Sequence, residues 1–311
     1  MRIAVTGANG QLGAELCRRL GNDAVPLTRP GFDLVDGAGV VQTLCDLRPD
    51  AVINAAAYTA VDLAESEPDV CRQVNAQAVQ YVAEACRRLD CPLVQLSTDY
   101  VFGADVSRRE PYREADPTGP LSVYGRSKLE GESHAATWPK HFIVRTCGLY
   151  GKPSFADRPR NFVEKMLSLA RDRTELQIVA DQHCTPTYVP HLAEAILFLI
   201  QTEDYGIFHV TNTGSTTWHN FASEIFRILN NPIHLARTTS AHFNSSAQRP
   251  AYSALDTAKY HNLPGPRMPD WREALAACLD NADKGYAPVS NGRQLSCESP
   301  PQATNHSERP K

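Results

Sequence analysis

The chain is expected to fold as α/β, a doubly wound parallel sheet with a smaller C-terminal region. Three observations predict this. Short apolar runs alternate with longer helix-like segments through the first half, the first run leads directly into a glycine-rich loop and a helix, and beyond Thr146 the rhythm loosens into polar, proline-containing pieces. Strands that alternate with helices imply a parallel sheet covered on both faces.

In chain order, residues 3–6 read as a buried strand, followed by a loop and a helix over 12–20. Residues 24–28 make a weak second strand, and 40–47 a helix that ends before Pro49. The run 51–56 is a third strand, 68–89 has helical periodicity, and 93–97 is a fourth strand. A helix carrying 124–128 and a strand over 142–146 follow. Later pieces are helices at 161–170, 191–200 and 218–229, with short strands at 177–180 and 207–210. From about residue 285 to 311 Ser, Pro, Asn and Gln dominate, too few apolar groups to offset the entropy of ordering, so a disordered tail is expected.

A length of 311 residues suits one large domain or two intimate ones, at roughly 100–200 residues per domain. The net charge of −4 gives no reason to expect nucleic acid or an anionic membrane as partner. No apolar run approaches the roughly 20 residues that span a bilayer, and the N-terminus has no secretory core. Nine scattered cysteines without a Cys-x-x-Cys pair favour reduced thiols in a cytoplasmic protein. The sequons at Asn244 and Asn305 are then chance matches.

The glycine loop, Thr6-Gly-Ala-Asn-Gly-Gln-Leu-Gly, is the first motif that carries chemistry. Gly7 suits a tight turn, Gly10 lets the backbone approach a pyrophosphate, and Gly13 lets helix and strand pack closely. The helix N-terminus offers unpaired N–H groups to the phosphates, as in Rossmann-type dinucleotide sites. Where a cofactor with a free ribose 2′-hydroxyl would meet an acid, the second strand ends in Thr28-Arg29. Arg29 can pair with a 2′-phosphate, which favours NADPH, with NADH the alternative.

Tyr124 and Lys128 lie four residues apart, on one face of a helix. A cation beside a phenol favours the phenolate, so Lys128 is expected to lower the Tyr124 pKa toward neutrality. Ser97-Thr98-Asp99-Tyr100 ends the fourth strand, where open α/β sheets bind ligands. There Thr98 can hydrogen-bond the substrate oxygen that Tyr124 protonates, and Asp99 is either a strand-end cap or a substrate contact.

Together these features resemble the extended short-chain dehydrogenase/reductase superfamily, and within it the dTDP-4-dehydrorhamnose reductase family. The segments that carry the closer resemblance are Asn54-Ala-Ala-Ala-Tyr-Thr-Ala-Val-Asp, Val74-Asn75-Ala76, Ser97–Phe102, Pro111–Asp116, Pro120–Glu132, Asp181–Thr187 and Arg249-Pro250. The resemblance covers roughly residues 1–280. It implies a Rossmann domain over 1–146, with segments at about 177–200 adding to it, and a mainly substrate-binding region over 147–284. It further implies that Gly10, Gln11 and Leu12 hold the pyrophosphate, in the cofactor loop that Gly7 and Gly13 shape, and that Asp33 and Leu34 lie by the adenine. Ala57, Tyr58, Thr59 and Leu96 would line the cofactor together with Tyr124, which would also donate the proton, and Lys128 would hold the nicotinamide ribose. Thr98, Asp99, Tyr124 and the residue at 148 would contact a nucleotide-linked keto-sugar, whose C4 carbonyl is reduced.

Two departures bear on the substrate. Members usually carry a tryptophan where this chain has Gly148, which offers no stacking surface, and Cys184 stands in place of a glycine. The resemblance also implies a magnesium dependence, for which Glu15 alone makes no metal site, and leaves a homodimer open. The rival readings are a reductase of another nucleotide-linked 4-keto sugar and a silent NADP-binding regulatory subunit. A dehydratase is disfavoured because Tyr100 occupies the place of its second carboxylate.

Overall fold

Parallel strands are covered by helices on both faces, so their apolar runs need no alternation. Strands β1 (Ile3–Thr6), β2 (Ala24–Leu27), β3 (Ala51–Asn54), β4 (Leu93–Thr98), β5 (His141–Thr146) and β6 (Gly206–His209) form one sheet, in the order β6-β5-β4-β3-β1-β2. Every neighbouring pair is parallel, and β1, β3 and β4 are buried at every position. The computed structural model describes residues 1–151, 161–243 and 245–280. The expected tail at 285–311 and both sequons lie outside the described residues.

The principal helices are α1 (Gln11–Leu20), α2 (Gly37–Leu47), α3 (Ala78–Leu89), α4 (Val123–Ala135) and α5 (Val189–Leu199). Helices α1 and α5 set Leu12, Leu16, Leu192 and Ile196 against Val5, Ile53 and Val144 on one face. On the other face α2 and α3 set Val40, Leu44, Val79 and Val82 against Ala4, Val52 and Leu93. Each fully buried leucine or valine contributes roughly 1.5–3 kcal/mol. The chain runs outward from β1 to β2, then returns to β3 on the other side of β1. At that reversal of direction a crevice opens beyond the carboxyl ends of the strands.

Residues 68–89 do not form one α-helix. Pro68–Arg72 leads into a π-helical turn, Gln73–Gln77, before α3 begins. The wider turn buries Asn75 beside the crevice, as such turns often do at functional sites. The strand expected at 177–180 lies at Glu175–Val179 and pairs in parallel with His234–Thr238, apart from the main sheet. Its exposed Glu175 and Gln177 suit a one-sided sheet better than a central position. Helices Phe162–Leu169, Trp218–Ile228 and Trp271–Leu279 gather a separate core around Tyr150, Phe221 and Trp271. Among the described residues no helix is long and apolar enough to cross a membrane.

One buried ion pair ties α4 to the sheet. Arg145 on β5 donates from Nη2 to Glu132 Oε2 at 2.7 Å and from Nε to Oε1 at 2.9 Å. The side chains are 3% and 5% exposed. Ser97 Oγ on β4 also donates to Glu132, and the guanidinium stacks 5.1 Å from the Phe102 ring centre. Removing one partner strands a charge in the interior. Glu132→Gln should therefore lower unfolding stability by about 3–5 kcal/mol, measured by urea denaturation. A loss under about 1 kcal/mol would contradict this role.

Candidate active site

The glycine loop is built by close contact. Gly7 has φ +65°, and a Cβ there would lie 2.7 Å from Ala56 Cα. A Cβ on Gly13 would collide with the Gly7 carbonyl oxygen, so α1 rests directly on the loop. Gly10 N–H donates to Gly7 O at 2.8 Å, and Gly10 caps α1 without a side-chain bond. The first amides of the helix are thus presented to the crevice. Leu12 buries its side chain in the core, which leaves only its backbone for a ligand.

A cleft of about 690 Å³ opens here, lined by Gly7, Gly10, Asp33, Leu34 and Ala57 to Thr59 among others. Arg29 lines it too, exposed and with no partner among the described residues. The stretch Ala55, Ala56, Ala57 gives this cleft a floor of small side chains. A glycine cradle, an open helix N-terminus and an unpaired cation at the rim fit a phosphorylated dinucleotide.

Asn75 fixes the far wall. It accepts from Tyr58 N at 2.8 Å, donates to Tyr58 O at 3.1 Å, and donates to Ser127 Oγ on α4 at 3.0 Å. The cleft wall and the helix bearing Tyr124 and Lys128 are therefore held by one amide. A second chain of bonds crosses the sheet. Thr6 Oγ1 donates to Asn54, Asn54 to Gln95, and Gln95 to the Leu96 carbonyl. That carbonyl also accepts Lys128 Nζ at 2.6 Å. Sequence reasoning assigned no role to Asn75, Asn54 or Gln95. Asn54 and Asn75 showed only as members of segments that carry the resemblance, and Gln95 as a polar residue within an apolar strand.

Thr98, at the end of β4, donates to Asp99 Oδ1 at 3.1 Å and accepts from Tyr100 N at 3.2 Å. Its hydroxyl faces the Tyr124 phenol closely enough to pull that pKa downward. Tyr124 also meets Tyr100 edge to face, with ring centres 5.9 Å apart. Asp99 is 2% exposed, and its Oδ2 accepts from Ser253 Oγ at 2.6 Å. Both of its oxygens are thus engaged inside the protein.

Burial dominates the electrostatics. It pushes Tyr124 well above the ordinary phenol range, with Thr98 opposing, and it lowers Lys128 to about 8, with Glu132 opposing. The expectation that Lys128 would bring the phenol toward neutrality is corrected. The ammonium is held on the Leu96 carbonyl, desolvation outweighs any Coulombic help, and Tyr124 stays a neutral phenol.

A second cleft, of about 850 Å³, includes Tyr100, Phe162, Lys165, Arg173, Trp218 and Arg249. Arg249 is held in a two-pronged pair by Asp62, at 3.0 and 2.7 Å. Neither Lys165, Arg173 nor Trp218 was singled out in the sequence, because they converge only in space. Gly148 lies against Trp218 rather than exposing a surface of its own. The Glu15 carboxylate is occupied by Arg18 and Arg19.

Burial raises Asp99 from its ordinary 3.8 to about 6, against the bonds from Ser253, Cys147 and Thr98. The folded protein therefore holds this proton to higher pH than the unfolded chain. The resulting stability is present below 3.8 and is lost as pH rises through about 6. Asp99→Asn removes the titration. In urea unfolding the variant should gain up to about 3 kcal/mol relative to wild type between about pH 4 and pH 7. A difference independent of pH would contradict the shift.

Comparison with known proteins places these features in a family. A family model described as the RmlD substrate binding domain matches residues 1–284. A dTDP-4-dehydrorhamnose reductase of Sinorhizobium fredii is 41% identical, over 88% of this chain and 95% of the relative. A probable dTDP-4,6-dihydroxy-2-methyloxan-3-one 4-ketoreductase of Streptomyces antibioticus is 40% identical, over 88% and 93%. The crystal structure of a Bacillus anthracis dTDP-4-dehydrorhamnose reductase in complex with NADP superposes with a TM-score of 0.85 at 38% identity, covering 90% of this chain and 99% of that one. A match running from β1 through Trp271–Leu279 makes the chain a member of the RmlD substrate binding domain family.

Proposed function

We propose that the chain is an NADPH-dependent reductase of the C4 keto group of dTDP-4-dehydro-L-rhamnose, forming dTDP-L-rhamnose. The observation that carries this reading is the Thr98–Tyr124 pair at the end of β4, set on the same helix as Lys128. Relatives named for this reaction, one of them solved with NADP, support the cofactor and the substrate class.

In this reading the 690 Å³ cleft takes the cofactor, through the α1 amides and Gly10, with Ala57 to Thr59 along it and Arg29 on the 2′-phosphate. When bound, NADPH supplies a hydride to the carbonyl carbon. Thr98 donates to the substrate oxygen as negative charge develops there, and Tyr124, kept neutral by burial, gives that oxygen its proton. Lys128 is held near the strand end by Leu96, where a ribose hydroxyl could replace the carbonyl as its partner. The cations Lys165, Arg173 and Arg249 suit the substrate pyrophosphate, and the aromatic rings suit its sugar and base. Gly148 and the Streptomyces antibioticus relative favour, as second reading, a different 4-keto deoxyhexose on the same nucleotide.

The test is NADPH consumption on addition of dTDP-4-keto sugars to the full chain. Tyr124→Phe should reduce turnover by about 10²–10⁴-fold while leaving NADPH affinity unchanged. Wild type no faster than this variant on every keto-sugar would refute the reading. Arg29→Asp should weaken NADPH binding by about 10–100-fold, the worth of a charge-assisted bond, and spare NADH. Equal NADPH affinities before and after the change would refute the role of Arg29.

A further inference from the structure

Two residues after β5, Gly148 sits at φ +50° with its carbonyl accepting from Thr187 N at 3.3 Å. A Cβ there would lie 2.9 Å from Trp218 Cη2 and 3.7 Å from Cζ3. Ordinary carbon contacts begin near 3.5 Å, so the outer edge of the indole occupies the space that a side chain at 148 would need.

Trp218 opens the helix Trp218–Ile228, whose start is set by Thr217 Oγ1 accepting from Asn220 N at 3.2 Å. Phe162 packs on the indole at 4.7 Å between ring centres, and Phe221 meets it edge-on at 6.3 Å. The ring is thus braced by its neighbours and is only half-buried. It lines the 850 Å³ cleft together with Tyr100, which touches Tyr124. Gly148 follows a strand whose Thr146 pairs in register with Thr98. The indole edge at Gly148 therefore lies toward the end of the cleft where the carbonyl would react.

We propose that Trp218 is a specificity-determining residue: it supplies the aromatic wall on which the sugar ring of the nucleotide-linked substrate stacks, and Gly148 is the gap that admits it. This rests on the reductase reading above. A deoxyhexose presents a C–H face and a methyl group, which suit a rigid indole. Bulk at 148 and the indole edge exclude one another, so the two positions act as one unit.

The experiment compares the full-length wild type with Trp218→Ala, Trp218→Phe, Gly148→Ala and the double variant Gly148→Ala/Trp218→Ala. It records KM and kcat for the dTDP-4-keto-deoxyhexose, affinities for NADPH, dTDP and a dTDP-hexose, and melting temperature. Trp218→Ala should raise KM and weaken dTDP-hexose binding by about tenfold or more, roughly 1.4 kcal/mol, with NADPH and dTDP affinities within about twofold. Trp218→Phe, which keeps a ring against Phe162, should recover part of the loss. Gly148→Ala should raise KM in the wild-type background and leave it unchanged once the indole is gone. Its backbone strain should lower the melting temperature in both.

Unchanged sugar-nucleotide affinity in Trp218→Ala, an equal loss for dTDP alone, or equal effects of Gly148→Ala in both backgrounds would overturn the proposal. A wild type that binds the dTDP-hexose without reducing any keto-sugar refutes the reductase reading alone. The wall is then judged from the difference between dTDP-hexose and dTDP affinities.

Discussion

The site depends on the buried pair between Glu132 and Arg145. Tyr124, Lys128 and Glu132 follow at four-residue intervals along α4, so they share one helical face. The foot of that face is pinned to β5 by the bidentate guanidinium and to β4 by Ser97. A buried charge without its partner costs several kcal/mol, so α4 has one favourable seat on the sheet. Lys128 then reaches the Leu96 carbonyl, and Tyr124 meets the Thr98 hydroxyl. The geometry proposed for catalysis is in this sense an outcome of packing a charged pair correctly.

That seat is also a dry one. Burial moves Tyr124 and Asp99 upward and Lys128 downward, each toward its neutral form. A neutral phenol is the form that can give a proton to a developing alkoxide. The polar residues nearby serve position more than charge. Asn75 locks the wall at Tyr58 to α4, and the run Thr6, Asn54, Gln95 links the glycine loop to the carbonyl that holds Lys128. Both sets of buried hydrogen bonds thereby tie the glycine-loop cleft to α4.

Much of this was legible in the sequence, for physical reasons. Both-face burial writes continuous apolar runs, so β1, β3, β4 and β5 stand out, and a strand, glycine loop and helix in succession can hardly be read otherwise. The spacing of Tyr124 and Lys128 survives as a shared helical face. The environment of those groups was not legible. Desolvation depends on what packs around a residue, and it reversed the expected influence of Lys128. The π turn went unread because only five α-helical residues, Pro68–Arg72, precede it, too few to fix a phase from which its shift could be seen. His234–Thr238 and Trp271–Leu279 went unread, the first because a half-exposed strand mixes polar and apolar residues. Trp218 is the sharpest case. Gly148 signalled a missing aromatic surface, and the ring that stands there comes from seventy positions away in the chain.

Whether the two clefts carry out a carbonyl reduction is read most directly from the fate of one labelled hydrogen. With NADPH doubly deuterated at C4 and a dTDP-4-keto-deoxyhexose as substrate, mass spectrometry and NMR of the product should find a single deuterium on the sugar C4. Product without deuterium, or with deuterium at another carbon, would contradict the reduction proposed for Thr98, Tyr124 and Lys128.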